Sequence, residues 1–203
     1  TVEPIDPVIY ISNHSTGRMG LALANEAAAR GANVIFISGP VQQYPESPSI
    51  QVIKVTTASE MYSACVEWFA KADIAIMAAA VADYTPQKAE PEKIKKKEET
   101  IVLNLRKTRD ILSELGRLKK KEQYLVGFAL ETTNEKVNAL SKLHTKNLNC
   151  IVLNSLKDAG SGFGYDTNKV SIISNDHNVN EFELKSKNEV ASDIFDFITK
   201  EVV

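Results

Sequence analysis

Apolar positions along the chain alternate between two rhythms. Runs rich in β-branched residues at 33–38 (NVIFIS), 50–56 (IQVIKVT), 73–79 (DIAIMAA), 124–130 (YLVGFAL) and 149–154 (NCIVLN) read as buried strands. Between them, apolar residues recur at helical spacing over 19–30, 59–71, 109–120 and 134–147, with Leu21, Ala24 and Ala28 on one side of the first. Strand alternating with helix predicts an α/β fold. The expected form is a doubly wound, mainly parallel, Rossmann-like sheet with helices on both faces, where ligands sit beyond the carboxyl ends of the strands.

Other segments depart from the alternation. Residues 85–99 (TPQKAEPEKIKKKEE) hold five lysines and two prolines with too few apolar residues to form a core, and are expected to be a mobile loop. Residues 100–107 suggest an added strand, and 169–175 with 180–186 a hairpin around turn residues 175–180, free to pair locally or with a second subunit. Val190, Ile194, Phe195 and Ile198 predict a C-terminal helix docked on the core. The opening, TVEPIDPV, reads as the inside of a loop.

The balance of 24 basic against 26 acidic residues gives a net charge of −2, which offers no general attraction to nucleic acid or an anionic membrane. No apolar stretch approaches the ~18 residues of a spanning helix, and the N-terminus is unlike a signal peptide. At 203 residues and 43% hydrophobic composition, one domain over 1–203 is expected. The two cysteines, Cys65 and Cys150, lie in apolar runs and read as buried free thiols, which fits a reducing cytoplasmic setting.

Candidate chemistry concentrates at strand-to-helix loops. In SNHSTGRMG at 12–20, Ser15, Thr16, Gly17 and Gly20 lead into an Ala-rich helix, so backbone N–H groups at its start can hold a phosphate; Ser15 or Thr16 as an ordinary cap is the competing reading. There is no GxGxxG, and no acidic residue follows the next strand where a dinucleotide ribose would need one. In MAAAVADYTP at 77–86, small residues leave room for a planar group and Asp83 can accept from a base or ribose, or simply cap a turn. The lysine loop can clamp phosphate charge or be a solvated face. Phe128 can stack on a base or fill the core, and Lys142 and Lys146, four apart, can share a phosphate or stay solvated. His14, His144 and His177 show no metal-ligand spacing, so no protein-built metal site is expected; magnesium carried by a nucleotide remains compatible.

Taken together, DPVIYISNHSTGRMG at 6–20, AAVADY at 79–84, PEKIKK at 91–96, VGF at 126–128 and GFGYDTN at 162–168 closely resemble phosphopantothenoylcysteine synthetase over nearly the whole chain. The resemblance implies a ligase that uses CTP to activate the carboxylate of 4′-phosphopantothenate, releases pyrophosphate, and joins the acyl group to the cysteine amine with loss of CMP, in coenzyme A biosynthesis. It implies Mg²⁺, a homodimer whose strands cross the interface, and frequent fusion to a flavin-dependent decarboxylase. By position, Asn13 resembles the asparagine serving the acyl-cytidylate, and Lys93 the loop lysine that supports its formation. Ala78, Ala79, Asp83, Phe128, Lys142 and Lys146 resemble nucleotide-binding positions, the first four around base and ribose and the lysines on phosphate, while Ser15 and Gly17 are expected to bind nucleotide from the helix-start loop itself.

Two departures stand out. The family arginine after Asp-Pro-Val is Ile9 here, which cannot pair with a phosphate. The family's first strand and its Gly-rich turn fall just before Thr1, and a doubly wound sheet lacking it would leave unpaired edges. Three other readings compete: an ATP-using ligase, a nucleotide-binding dimer that no longer ligates, and a nucleic-acid module resting on the lysine loop.

Overall fold

A computed structural model of the chain describes residues 1–95, 99–131, 133–155, 162 and 164–202. Its central sheet is mixed. β5 (Ile74–Met77), β8 (Tyr124–Glu131) and β9 (Cys150–Ser155) run parallel, and β11 (Val170–Ser174) and β12 (Val179–Glu181) add antiparallel at one edge, in the order β12-β11-β9-β8-β5. β3 (Val34–Ser38) and β4 (Ile50–Lys54) form a separate parallel pair.

Alternate residues of the strands face opposite ways, as the two-residue repeat requires. Tyr124, Val126, Cys150, Val152, Val170 and Ile172 form one core cluster with α1 (Arg18–Ala29) and α5 (Lys187–Val202). Leu125, Ala129, Ile151, Leu153 and Ile173 form the other with α2 (Ala58–Phe69), α3 (Ile111–Leu118) and α4 (Glu135–Thr145). Local chemistry fixes the helix starts. Thr57 and Glu60 make a reciprocal capping box on α2, and the Asp110 carboxylate accepts from Ser113 N at the start of α3.

The five expected strands and five helices are present among the described residues, with ends moved by up to two residues. The peripheral segments differ from expectation. The opening is an antiparallel ribbon of β1 (Val2–Pro4) and β2 (Tyr10–Ser12), tied down because the buried Glu3 carboxylate accepts from Ala58 N, at the start of α2, at 2.7 Å. Within 100–107 only β7 (Leu105–Lys107) is a strand, and it pairs with β6 (Tyr84–Pro86), inside the segment expected to be mobile. Two further residues of that segment are anchored: Gln87 N donates to Asn104 O, and Glu90 N to Ile5 O. Residues 96–98, which include Lys96 of the PEKIKK block, lie outside the described residues. The expected hairpin forms with a shorter second arm, and Lys185 and Ser186 (β13) instead pair with Thr167 and Asn168 (β10).

One feature of the layers bears directly on the site. β3 hydrogen-bonds to β4 and β5 to β8, while their other edges border a cavity of about 770 Å³. Leu23, Ala24 and Ala27 of α1 line it from one layer, and Met61, Cys65 and Phe69 of α2 from the other, so the cavity lies in the plane of the sheet.

Candidate active site at the mouth of the sheet cavity

At one end of the cavity, where β3 and β5 finish, the walls become Thr1, Asn13, Ser15, Gly17, Gly39 and Ala78–Ala80. This is the carboxyl end of parallel strands, the position at which open α/β sheets hold ligands.

Asn13 follows directly on β2. Its Nδ2 donates to Ala80 O at 2.7 Å, and its Oδ1 accepts from Ser15 N at 2.9 Å. An amide nitrogen carries two hydrogens, so the second N–H stays available at the cavity mouth. The loop then turns through Ser15, whose Oγ accepts from Gly17 N, into α1. Gly17, not Ser15 or Thr16, occupies the cap position, at φ 76°, and α1 has no side-chain cap. A Cβ on Gly17 would sit 2.5 Å from Val41 Cγ1, so both backbone shape and neighbour demand glycine. The helix start therefore presents backbone donors and a partial positive charge toward the cavity mouth.

Ala78 and Ala79 border the same mouth, with Ala79 exposed. Asp83 lies beyond them, exposed, with its carbonyl accepting from Thr108 N. Phe128 is half-buried and packs against the core cluster of α1 and α5, which is the core-filling reading of that residue. Lys142 and Lys146 do not share one partner. Lys142 Nζ meets Glu131 Oε1 at 2.6 Å, at the end of β8, and Lys146 Nζ meets Asp110 Oδ2 at 2.8 Å, at the start of α3. Burial pushes the Glu131 carboxyl up, but hydrogen bonds from Lys142 and Asn138 bring it below the ordinary carboxylate range. To hold a phosphate, either lysine must exchange its carboxylate for the ligand. Lys93 is exposed, beside Ile94, whose N–H is bound by the Asp6 carboxylate.

Several residues outside the sequence reading belong to this region. Arg18, the first residue of α1, pairs with Asp166 at 2.7 Å and donates to Gly164 O, which holds these two residues at the helix start. Lys187, buried, donates to the carbonyls of Gly162 and Tyr165 in the same block, and burial followed by the charge of Arg18 lowers its pKa. Phe163 of that block lies outside the described residues. Asp6 had a readable signal, since an Asp before Pro marks a turn whose carboxylate binds backbone N–H groups. Ile9 is exposed at 47%, on the ribbon tip beside Asp6. The fold brings His144 Nε2 to 3.0 Å from His177 Nε2, a contact that their spacing in sequence does not show. Among the described residues no group of three or more His, Cys, Asp or Glu can hold a metal ion.

The family model described as "DNA/pantothenate metabolism flavoprotein C-terminal domain" matches residues 1–202. A protein from an unidentified prokaryote named cysteine/cysteine sulfinic acid decarboxylase is 58% identical over 194 residues, which is 96% of this chain and 54% of that protein. The coenzyme A biosynthesis bifunctional protein CoaBC of Bacillus subtilis is 46% identical over 194 residues, 96% of this chain and 48% of that protein. The chain thus spans about half the length of the curated relatives it matches. A crystal structure of the C-terminal domain of a CoaBC protein superposes with a TM-score of 0.84 at 36% identity, covering 100% of this chain and 91% of that one.

Proposed function

The chain belongs to the family of DNA/pantothenate metabolism flavoprotein C-terminal domains, and from that premise we propose that it is the ligase domain of a coenzyme A biosynthesis enzyme, joining 4′-phosphopantothenate to cysteine. In the first step a carboxylate oxygen attacks the α-phosphorus of CTP, an O–P bond forms, and pyrophosphate leaves. In the second the cysteine amine attacks the acyl carbon, CMP leaves with the bonding electrons, and the amine gives up a proton.

The observation that carries this reading is Asn13 pinned to Ala80 O between the uncapped start of α1 and the alanine-lined end of β5. The triphosphate lies on the α1 start, where backbone donors and the dipole favour anions. Asn13 spends one N–H on Ala80 and offers the other to the carbonyl oxygen as it gains charge. Lys93 supplies a mobile cation for the charge that develops during activation. Ala78, Ala79 and Asp83 border the base and ribose, and Lys142 and Lys146 reach phosphate by leaving Glu131 and Asp110. Among the described residues no group of three or more His, Cys, Asp or Glu is placed to hold Mg²⁺, and the ion would enter on the triphosphate with its own waters.

We further propose that a β-strand from residues upstream of Thr1 fills the cavity and completes a doubly wound sheet. Both facing strand edges carry backbone groups that a strand would satisfy, and Thr1 sits at the cavity mouth beside Gly39 and Ala80. Exposed Ile101, Val102, Leu103 and Leu105, with Val8 and Tyr10 on the neighbouring ribbon, support a homodimer through these ribbons. Fusion to a decarboxylase domain accords with the double length of the relatives. Two buried free thiols accord with a cytoplasmic setting, and no described helix is long and apolar enough to cross a membrane.

A second reading has its own support. Ile9 in place of an arginine, and the 58% identical relative named as a decarboxylase, favour a nucleotide-binding domain that accompanies a decarboxylase without ligating. The separating experiment incubates the chain with 4′-phosphopantothenate, Mg²⁺ and CTP or ATP, with and without cysteine, and identifies products by mass. Cysteine-dependent 4′-phosphopantothenoylcysteine with CTP preferred supports the ligase. Nucleotide binding without turnover supports the second reading.

A further inference from the structure

The tip of the β1–β2 ribbon is built around one carboxylate. Asp6 is 3% exposed, and its oxygens serve backbone donors on two separate segments. Oδ1 accepts from Val8 N and Ile9 N, both at 2.7 Å, which closes the tip. Oδ2 accepts from Ile94 N at 2.9 Å, across 88 positions of sequence. A second bond, from Glu90 N to Ile5 O at 2.8 Å, seats the same lysine-bearing segment one residue away along the ribbon. The other strand of the ribbon ends at Ser12 and delivers Asn13 to the cavity mouth. One small ribbon thus carries Asn13 at its base and the backbone of the Lys93 segment at its tip.

We infer that Asp6 is the positioning residue for Lys93, holding it through the Ile94 N–H in fixed relation to the ribbon that bears Asn13. The inference rests on the assignment of Lys93 to the first step. A lysine on a solvated loop samples many places, whereas a lysine whose neighbouring amide is bound to a buried carboxylate starts each turnover close to where it is needed. The carboxylate is suited to this, because three backbone donors, that of Ile94 first, keep it ionised below the usual carboxylate range, with Lys93 adding a smaller attraction. Asp6 itself touches no reacting atom.

The test uses the full chain and follows the pyrophosphate burst with CTP and 4′-phosphopantothenate in the absence of cysteine. Asp6→Asn replaces one acceptor oxygen with a donor, and Ile94→Pro removes the donated N–H without touching Asp6. Each is expected to slow the burst by about tenfold or more while nucleotide affinity moves by less than about twofold. Hydrogen exchange at the Ile94 amide should accelerate in Asp6→Asn. Adding Lys93→Gln to Asp6→Asn should slow the burst no further than Lys93→Gln alone, because the two act as one unit. If Lys93→Gln slows the burst while both other variants leave it unchanged, the positioning role is overturned and the Lys93 assignment stands. If Lys93→Gln itself leaves the burst unchanged, the Lys93 assignment falls and the positioning role with it.

Discussion

Asn13 Nδ2 donates to Ala80 O at 2.7 Å, joining the loop after β2 to the segment after β5, two places 67 residues apart in sequence. The bond orients the amide and leaves its second N–H unspent. Asn13→Asp sets a carboxylate oxygen against the Ala80 carbonyl and removes both donors. The expected outcome is nucleotide consumption in a first turnover with amide formation reduced by about 10²–10³-fold, the scale of losing one oxyanion donor. Rapid quench and mass analysis should find the acyl-nucleotide accumulating; turnover at the native rate would remove Asn13 from the mechanism.

Gly17 meets two independent demands, positive φ and the Val41 side chain. Gly17→Ala costs about 1–2 kcal/mol for the left-handed backbone alone, and the contact with Val41 adds to it. Thermal unfolding should show a Tm lower by several degrees, partly restored by Val41→Ala, since that change relieves the contact and not the backbone. Full restoration would mean that φ at position 17 relaxes freely.

The two thiols report on the sheet cavity. Burial pushes the Cys65 thiol up to about 11 and the Cys150 thiol to about 12. At pH 8 a thiol with the former value is thiolate in only about one molecule in a thousand, so an aromatic disulfide reagent should label neither quickly in the native chain and both in denaturant. Cys65 lines the cavity. A longer form carrying the upstream strand should protect Cys65 further and leave Cys150 as it was. Equal labelling of Cys65 in the two forms would count against a strand in the cavity.

Glu131 links stability to pH through Lys142. Its folded pKa lies below its unfolded value, so the stabilisation is present above the unfolded value and is lost as pH falls through the folded one. Lys142 is partly exposed, which limits the pair to about 0.5–1 kcal/mol. Lys142→Met is expected to lower the urea midpoint at pH 7, with the difference from the native chain closing toward about pH 3. It should also raise the KM for nucleotide if the lysine serves phosphate. A difference that persists at low pH would place the effect in packing of the side-chain stem.

The central strands and the helices were legible because each depends on short-range rhythm, and the loops at the strands' carboxyl ends follow from their order. Leu125 and Val126 face opposite cores because neighbours on a strand must. The ribbon of β1 and β2 was not legible: an Asp before Pro marks a turn, but nothing local assigns Ala58 N to Glu3 or Ile94 N to Asp6. The separate ion pairs of Lys142 and Lys146 were hidden for the same reason. Helical spacing predicts both on one side of a helix, but Lys146 is the cap residue just past α4, and Glu131 and Asp110 arrive from other elements. The contact between His144 and His177 depends on the turn after β11 meeting the end of α4, a relation that no local spacing encodes.

Activation of the carboxylate by its attack on the nucleotide α-phosphorus is the proposed first step. It is tested most directly with 4′-phosphopantothenate carrying ¹⁸O in its carboxylate, incubated with CTP, Mg²⁺ and cysteine. Attack of that oxygen on the α-phosphorus moves one labelled atom into CMP when cysteine displaces it, so the account expects one ¹⁸O per CMP released. CMP without label, or label recovered in orthophosphate, would contradict it.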